Sequence, residues 1–292
     1  MKFLITGANG QLGSEWISRL TDLRGDFTAY SSDRLDITNR SQIQELITDE
    51  KPDIIINCAA YTNVDRAETE TEKAFLINEY GVRNLINACK ENGSKLVHFS
   101  TDYVFAGDVI DRVRYPAGYP EVANSDPVNT YGSSKRAGEL ILEEEGSEEN
   151  WLLVRVSWLC GRYGSNFVKT MLKMSHDKKE ISVVMDQTGS PTFTFDLVDK
   201  TLALLEKNCN GTFHISSRGE ISWARFAEEI FKISGSETKV VPIPSEQYVT
   251  TAKRPSFSLL STDKIQENGL EPIHWKAGLE QLLKQLKAFR IK

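Results

Sequence analysis

Cysteine and histidine are scarce in this sequence, and their scarcity excludes several classes of protein. The 292 residues include four cysteines, none in a Cys-x-x-Cys pair, so we expect reduced thiols rather than a disulfide framework. The four histidines lie far apart in the chain, which argues against a metalloenzyme. The Gly-x-Ser-x-Gly turn of a serine hydrolase is also missing. Any chemistry must therefore come from other side chains.

Long apolar runs and an excess of positive charge are missing as well. No stretch approaches the roughly 18 apolar residues of a membrane span. The apolar start of the chain is cut off at Gly7, unlike a signal peptide. The formal net charge of −6 argues against nucleic acid, which requires a basic face. We therefore expect a cytoplasmic protein that acts on a small molecule, with no nucleic-acid partner and no membrane contact.

The first half of the chain alternates short apolar runs with helical periodicity. The apolar runs predict strands at residues 2–6, 27–31, 53–57, 95–100 and 151–156. Helices are predicted at residues 11–23, 41–50, 69–92 and 131–145. The run Ile54, Ile55 and Ile56 is apolar on both faces, as in a parallel strand covered by helices on both sides. The alternation predicts an α/β fold with a doubly wound parallel sheet of the Rossmann type.

The second half mixes shorter elements. Helices are expected at residues 165–176, 195–207, 222–234 and from about 276, and strands at 180–185, 211–216 and 239–243. Ser222 stands where it can cap the helix at 222–234. We predict a Rossmann domain over residues 1–156 that binds NAD or NADP, and a smaller α/β lobe over residues 157–292 that binds substrate. Some late strands are expected to return to the main sheet.

A glycine-rich turn follows the first predicted strand. It reads Gly7-Ala8-Asn9-Gly10-Gln11-Leu12-Gly13 and opens a predicted helix, which is the context of a dinucleotide-binding loop. Glycine permits the tight turn, the close approach of a pyrophosphate and the packing of helix on strand. The free N–H groups at the start of the helix attract phosphate. The sequence therefore predicts that this turn binds the pyrophosphate of a nicotinamide cofactor.

The end of the second predicted strand gives opposing indications about that cofactor. Asp33 favours a free ribose 2′-hydroxyl, whereas Arg34 favours a 2′-phosphate. NADH and NADPH are therefore both open. Asp36, with Ile37 after it, either places a carboxylate beside the adenine amino group or caps the next helix.

Tyr131 and Lys135 form a Tyr-x-x-x-Lys pattern at the start of a predicted helix, where positions i and i+4 share a face. A tyrosine with its ordinary pKa of about 10 is a weak proton donor and is rarely ionised. A neighbouring ammonium stabilises the phenolate and brings the tyrosine pKa toward working pH. The pattern indicates a proton donor assisted by a cation, and the alternative is a plain surface pair.

A third polar group is expected at the end of the fourth predicted strand, where open α/β sheets bind their ligands. Ser100, Thr101 and Asp102 stand there. We expect Thr101 to hydrogen-bond a substrate carbonyl. Ser100 and Asp102 either take part in binding or cap the turn.

Several longer runs carry a resemblance to a known family. They include Ser-Thr-Asp-Tyr-Val-Phe at 100–105, Val-Asp-x-Ala-Glu at 64–68 and Asn-Phe-Val-Lys-Thr-Met at 166–171. Further matching segments lie at 35–38, 57–63, 154–158 and 186–192 and at Arg254-Pro255. With the glycine turn and the Tyr-x-x-x-Lys pattern, they resemble the extended short-chain dehydrogenase/reductase superfamily and, within it, the dTDP-4-dehydrorhamnose reductase family.

The resemblance implies a role for each matching residue. Catalysis would rest on Thr101, Tyr131 and Lys135. The cofactor would contact Gly7, Asn9, Gly10, Gln11, Leu12, Gly13, Asp36, Ile37, Ala59, Ala60, Tyr61 and Asn78. The substrate would contact Asp102, Tyr103, Trp158, Asn166 and Arg254, the last answering a diphosphate unless it is a plain surface arginine. Glu15 matches a position that takes part in metal-bridged dimers in some members, which would bring Mg²⁺ and a homodimer.

The reaction that the resemblance implies is the NAD(P)H-dependent reduction of the C4 ketone of dTDP-4-dehydro-L-rhamnose to dTDP-L-rhamnose, a precursor of cell-wall polysaccharide. The segment 107–127 departs from the family pattern because it is longer and more charged, which leaves the sugar stereochemistry open. Another nucleotide-sugar reductase or an epimerase of the same superfamily is therefore an alternative. A non-catalytic NAD(P)-binding regulatory subunit is another, although the intact Thr101, Tyr131 and Lys135 argue against it.

Overall fold

A computed structural model describes residues 1–147 and 149–290 of the chain. The strands are β1 (Lys2–Thr6), β2 (Asp26–Tyr30), β3 (Ile54–Asn57), β4 (Lys95–Thr101), β5 (Trp151–Val156), β6 (Leu159–Cys160), β7 (Glu180–Val184), β8 (Thr188–Gly189), β9 (Thr192–Phe193), β10 (Gly211–His214), β11 (Ile221–Ser222) and β12 (Lys239–Ile243).

The α-helices are α1 (Gln11–Asp22), α2 (Arg40–Glu50), α3 (Val64–Ala67), α4 (Thr71–Phe75), α5 (Gly81–Asn92), α6 (Asp111–Arg114), α7 (Thr130–Glu145), α8 (Phe167–Asp177), α9 (Thr194–Glu206), α10 (Trp223–Ser234), α11 (Asp263–Glu267) and α12 (Trp275–Arg290). A π-helical turn spans Leu76–Tyr80, and short 3-10 turns span Asp102–Val104 and Ser245–Gln247.

The central sheet has the strand order β10-β5-β4-β3-β1-β2, and all its pairs are parallel. Its strands are apolar on both faces because helices cover both. Helices α1 and α9 bury one face, and α2, α5 and α7 bury the other. The predicted doubly wound α/β fold is thereby confirmed. Strand β10, from the second half of the chain, pairs with β5 in this sheet.

The predicted long helix at 69–92 is interrupted. Helices α4 and α5 are separated by the five-residue π-helical turn, which contains the buried Asn78. Such turns are frequent at functional sites because they redirect one side chain without ending the helix. Apolar periodicity does not reveal this turn, since α5 keeps its core-facing residues in phase.

The second lobe packs α8, α10 and α12 around the two-stranded parallel sheet of β7 and β12. Ser222 caps α10 as predicted, because its hydroxyl accepts a hydrogen bond from the Arg225 N–H at 3.3 Å. Asn166 caps α8 in the same way, accepting from the Lys169 N–H at 3.1 Å. The two-residue strands β6, β8, β9 and β11 are too short to produce a sequence period.

Candidate active site

The glycine loop connects the end of β1 to α1. Gly7 has a φ of +66°, and a Cβ there would lie 2.7 Å from the backbone of Cys58 and Ala59. A Cβ on Gly13 would lie 2.3 Å from the Gly7 carbonyl oxygen. Gly10 at the N-cap of α1 carries no side chain, so the first N–H groups of the helix face outward for a ligand. This cradle fits a pyrophosphate.

Replacing Gly7 with alanine is expected to weaken cofactor binding at least about tenfold, because the new methyl group must displace the backbone beside Ala59. Titration of the nicotinamide cofactor by protein fluorescence measures this. Gly93→Ala is the matched control, since Gly93 also has a positive φ, +77°, but nothing lies within 4 Å of its would-be Cβ. If Gly93→Ala weakens binding as much, backbone strain alone accounts for the effect and the cradle does not.

The remaining residues of the loop differ in their surroundings. Asn9 and Gly10 are exposed at its tip, whereas Leu12 is buried in the core beneath the sheet. The Gln11 side chain donates to the Leu159 carbonyl at 3.2 Å and accepts from the Asn166 amide at 2.6 Å. Asn166, expected at the substrate, thus joins the cofactor loop to the second lobe, and its contact with substrate stays a prediction.

The acidic residues after β2 stand in exposed turns. The Asp36 carboxylate accepts from the Thr38 N–H at 2.9 Å and from its hydroxyl at 2.8 Å, so it holds the turn before α2. It does not cap that helix, because the N-cap is Asn39, which accepts from the Gln42 N–H at 3.1 Å. Asp33 is also exposed, and a hydrogen bond from the Ser31 hydroxyl lowers its pKa. Ile37 is buried against Gly81. Contact of Asp36 and Ile37 with adenine stays a prediction.

Asn78 holds the segment that follows β3. Its side chain accepts from the Tyr61 N–H at 2.9 Å and donates to the Tyr61 carbonyl at 3.0 Å. It also donates to the Ser134 hydroxyl at 2.9 Å, which in turn donates to the Tyr131 carbonyl at 2.8 Å. The segment of Ala59, Ala60 and Tyr61 is thereby tied to helix α7, which carries Tyr131. Asn78 and Ser134 set the distance between the two segments.

Tyr131 and Thr101 lie together at the carboxyl end of β4. Asn129 caps α7 by accepting from the Gly132 N–H at 2.8 Å, and a Cβ on Gly132 would lie 2.2 Å from the Tyr103 carbonyl oxygen. The helix therefore starts close against the end of β4, with the Tyr103 ring edge-on to the Tyr131 ring at 5.6 Å. Burial raises the pKa of Tyr131, and a hydrogen bond with Thr101 opposes this. Tyr131 is therefore a protonated phenol near neutral pH.

Lys135 lies one turn along the same helix and is 2% exposed. Its ammonium donates to the Phe99 carbonyl at 2.7 Å and lies 3.2 Å from His98 Nε2. Burial lowers the Lys135 pKa to about 8. The sequence pattern led us to expect a cation that lowers the Tyr131 pKa. In this structure the ammonium is instead held on β4, because the carbonyl and imidazole offer it buried acceptors.

Asp102 follows Thr101 and is 2% exposed. Its Oδ1 accepts from the Thr101 hydroxyl at 2.9 Å, while Oδ2 makes no hydrogen bond of normal geometry among the described residues, although the Ser258 hydroxyl acts on the carboxyl and lowers its pKa. Burial raises the Asp102 pKa to about 7. The Ser100 hydroxyl is likewise buried without a partner in the described chain. Because buried polar atoms are normally paired, these groups are available to a polar ligand.

Trp158 borders the site from the second lobe. Its φ of +47° is rare for a residue with a side chain, and such strain often marks functional positions. The indole stacks on Trp223 at 3.6 Å and donates to the Ser258 hydroxyl at 3.1 Å. One face of Trp158 is therefore occupied by protein, and its contact with substrate stays a prediction.

Arg254 is held by Asp65, from the Val-Asp-x-Ala-Glu run. Its guanidinium donates to the two carboxylate oxygens at 3.1 and 2.7 Å. The Ala252 N–H donates to the same carboxylate at 3.1 Å. Asp65 and Arg254 are only partly buried, at 40% and 23% side-chain exposure. The guanidinium therefore remains within reach of an incoming anion.

Glu15, the residue with an implied metal role, has protein partners for both carboxylate oxygens. Arg162 donates to Oε1 at 3.0 Å, and the Thr194 hydroxyl donates to Oε2 at 2.7 Å. Among the described residues, no cluster of three or more His, Cys, Asp or Glu side chains could hold a metal ion. Nor does the described part of the chain contain a helix long and apolar enough to cross a membrane.

The site is supported by three residues that the sequence pattern did not mark as site residues. They are Asn57 on β3, His98 on β4 and Ser134 on α7. The available signal was a polar residue inside a run that is otherwise apolar. Asn57 ends the run that starts at Ile54, and His98 interrupts the apolar part of β4.

The sheet, the glycine cradle and the group of Thr101, Tyr131 and Lys135 define an NAD(P)H-dependent oxidoreductase with a Rossmann fold. The match to known proteins is more specific. The family model described as "RmlD substrate binding domain" matches residues 1–288, and the chain belongs to this family. The resemblance seen in the sequence is confirmed.

The similar proteins agree over almost the whole chain. A dTDP-4-dehydrorhamnose reductase from Bacillus anthracis, solved in complex with NADP, is 42% identical, with a TM-score of 0.92 over 97% of this chain and 99% of that one. The Bacillus subtilis spore coat polysaccharide biosynthesis protein SpsK is 37% identical over 97% of both chains. A dTDP-4-dehydrorhamnose reductase from Burkholderia thailandensis is 34% identical over 98% of this chain and 99% of its own.

Proposed function

We propose that this protein reduces the C4 ketone of dTDP-4-dehydro-L-rhamnose to dTDP-L-rhamnose, with NADPH or NADH as the reductant. The observation that carries the proposal is the meeting of Thr101 and Tyr131 at the carboxyl end of β4. There they stand beside the buried Asp102, whose Oδ1 accepts a hydrogen bond from the Thr101 hydroxyl at 2.9 Å. The identity of the sugar is taken from the names of relatives that match almost the whole chain.

Separate residues of the chain bind the cofactor, donate the proton and orient the ketone. The Gly7–Gly13 cradle would hold the reduced nicotinamide cofactor, which would supply the hydride for C4 of the sugar. Tyr131 holds a proton on its phenol near neutral pH and donates it to the C4 oxygen as the alcohol forms. The Thr101 hydroxyl turns its hydrogen from Asp102 to that oxygen and orients it, and Lys135 contributes positive charge from beneath the site. Contacts remote from C4 position the ketone.

Assays with NADPH and NADH in parallel decide which of the two cofactors the protein uses. The Bacillus anthracis structure contains NADP, which supports NADPH. Asp33 and Arg34 are both exposed and point to opposite preferences. Use of Mg²⁺, a homodimer and a cytoplasmic location stay predictions.

The test is incubation of the purified protein with enzymatically prepared dTDP-4-dehydro-L-rhamnose and NADPH or NADH in parallel. We expect nicotinamide absorbance to fall and dTDP-L-rhamnose to form. If cofactor binds tightly and no sugar is reduced under either condition, the proposal is wrong and the regulatory-subunit alternative gains support.

A second function has a specific observation in its favour. A dTDP-4-keto-6-deoxy-D-glucose reductase from Streptomyces niveus is 36% identical over 98% of both chains. The charged segment 107–127 places Tyr119 in one apolar cluster with Val104, which belongs to the turn that starts at Asp102. Proton NMR of the reduced product distinguishes the two sugars by their ring coupling constants.

Arg254→Gln is expected to raise KM for the nucleotide sugar about tenfold and to leave kcat nearly unchanged, because a phosphate contact is made equally in ground and transition states. Asp65→Asn is the matched control. It breaks the same ion pair, 2.7 Å from Nη2 to Oδ2, but keeps the guanidinium. An equal rise in KM for both variants would show that the pair serves structure and that Arg254 does not bind the diphosphate.

A further inference from the structure

A row of polar side chains crosses the middle of the apolar sheet. Thr6, Asn57 and His98 occupy matching positions on the adjacent parallel strands β1, β3 and β4. They are 0%, 1% and 1% exposed. Because side chains alternate along a strand, residues in register share a face, and this one is covered by α5 and α7. Burying three polar groups is costly unless each is paired.

Hydrogen bonds connect the row from end to end. The Thr6 hydroxyl and the Asn57 amide lie 2.6 Å apart, and the other end of that amide is 2.9 Å from His98 Nδ1. His98 Nε2 lies 3.2 Å from Lys135 Nζ. The Ala59 N–H reaches Thr6 and Asn57 at 3.3 and 3.2 Å. The row therefore joins the glycine loop and the segment after β3 to the buried lysine.

The donors in this row determine where the imidazole carries its hydrogen. An ammonium has only donors, so Nε2 must be unprotonated to accept from Lys135. Burial and the Lys135 charge lower the His98 pKa, so the ring is neutral and its single hydrogen lies on Nδ1. The Asn57 amide then turns its oxygen to Nδ1, a half-turn that exchanges its oxygen and nitrogen and leaves the rest of the side chain in place. The Ala59 N–H then gives up its contact with Asn57 and keeps the Thr6 hydroxyl as its acceptor at 3.3 Å. The Thr6 hydroxyl accepts as readily as it donates.

We propose that His98 is a positioning residue for Lys135: its neutral imidazole, held by Asn57 in the Nδ1–H tautomer, accepts a hydrogen bond from the ammonium and keeps it under the site. With the Phe99 carbonyl as the second acceptor, one N–H of the ammonium stays free for a ligand. The effect on turnover rests on the proposed function, whereas the tautomer does not.

Few other charges act on Lys135. Glu139, one turn further along α7, raises its pKa, and burial lowers the pKa to about 8. Glu139 is itself paired with Arg155 on β5 and with Arg136 on α7. Asp102 and Tyr103 lie in the turn that packs on α7 from the end of β4. Since none of these touches the ammonium, loss of His98 removes one of its two hydrogen-bond acceptors among the described residues.

The tautomer is tested directly by ¹⁵N NMR of the histidine rings in the free protein at about pH 7, below the Lys135 pKa. His98 is assigned from the signal missing in His98→Gln. We expect its hydrogen on Nδ1 and an unprotonated Nε2. In Lys135→Met we expect the hydrogen to move to Nε2, since the donor that fixed it is gone. A wild-type ring protonated on Nε2 would overturn the proposal whatever the enzyme reduces.

The kinetic test is the pH profile of kcat/KM. In His98→Leu the Lys135 ammonium loses a hydrogen-bond acceptor, so the Lys135 pKa falls. We therefore expect the alkaline limb of the profile to lie about one pH unit lower than in the wild type. His98→Gln keeps a side-chain oxygen for Lys135 and should hold the limb near its wild-type position. His214→Leu is the matched control, because His214 is also buried in the sheet but faces Arg155.

The outcomes separate the two proposals. A folded His98→Leu variant that binds cofactor and keeps the wild-type limb overturns the role of His98. An equal shift in His214→Leu does the same, because it traces the effect to general loosening of the sheet. If His98→Leu does not fold, the His98→Gln profile and the NMR result decide. Wild-type protein that fails to reduce the sugar refutes the proposed function alone, and the NMR result still decides the tautomer.

Discussion

Tyr131→Phe is expected to lower kcat about 10³-fold and to leave cofactor affinity within about twofold of wild type, since general acid catalysis contributes roughly 10²–10⁴-fold. Phenylalanine keeps the ring edge-on to Tyr103 but removes the phenol that donates the proton. Steady-state reduction of the sugar and cofactor titration give the two quantities.

Tyr80→Phe is the matched control for this variant. Tyr80 lies on the π-helical turn close to α7, but its side chain is exposed and contacts the Arg83 guanidinium. Removing the Tyr80 hydroxyl should leave kcat unchanged. Turnover near wild type in Tyr131→Phe would mean that another group donates the proton, and Asp102, with its pKa of about 7, would be the first candidate.

Arg155→Met is expected to lower the free energy of unfolding by about 3–5 kcal/mol, the usual loss when one partner of a buried ion pair is removed. Arg155 on β5 donates to both carboxylate oxygens of Glu139 on α7, at 2.9 and 2.8 Å. The two side chains are 3% and 0% exposed. Without the guanidinium, Glu139 keeps an ion pair only with the partly buried Arg136 in the described chain, and the Lys135 charge acts on it without contact.

Urea unfolding of the variant measures this loss. Adding Glu139→Leu to Arg155→Met should recover part of the stability, because the unpaired carboxylate is then gone. Arg225→Met removes an exposed pair with Glu228 and should change stability by less than about 0.5 kcal/mol. A loss of under about 1 kcal/mol in Arg155→Met would show that solvent or Arg136 compensates the buried carboxylate.

The sequence predicted what depends on local pattern. Runs such as Ile54 to Ile56 have the composition of a buried parallel strand, and the context of Gly7 and Gly13 identified the cradle. The helix that carries Tyr131 also follows from local periodicity and turn residues.

What the sequence did not predict depends on contacts between distant segments. Arg254 meets Asp65 across 189 positions, and Asn166 meets Gln11 across 155, which no local pattern encodes. The place of the Lys135 ammonium depends on the register of β4, which puts His98 beneath it. The π-helical turn and the two-residue strands are set by packing rather than by propensity.

The most direct test of the central claim is isotope transfer. The protein is supplied with a reduced nicotinamide cofactor in which both hydrogens at C4 of the ring are deuterium, together with dTDP-4-dehydro-L-rhamnose, and the product is read by NMR. We predict deuterium on C4 of the sugar and the rhamno configuration there. A product without deuterium at C4, or unchanged ketone in the presence of bound cofactor, would contradict the account.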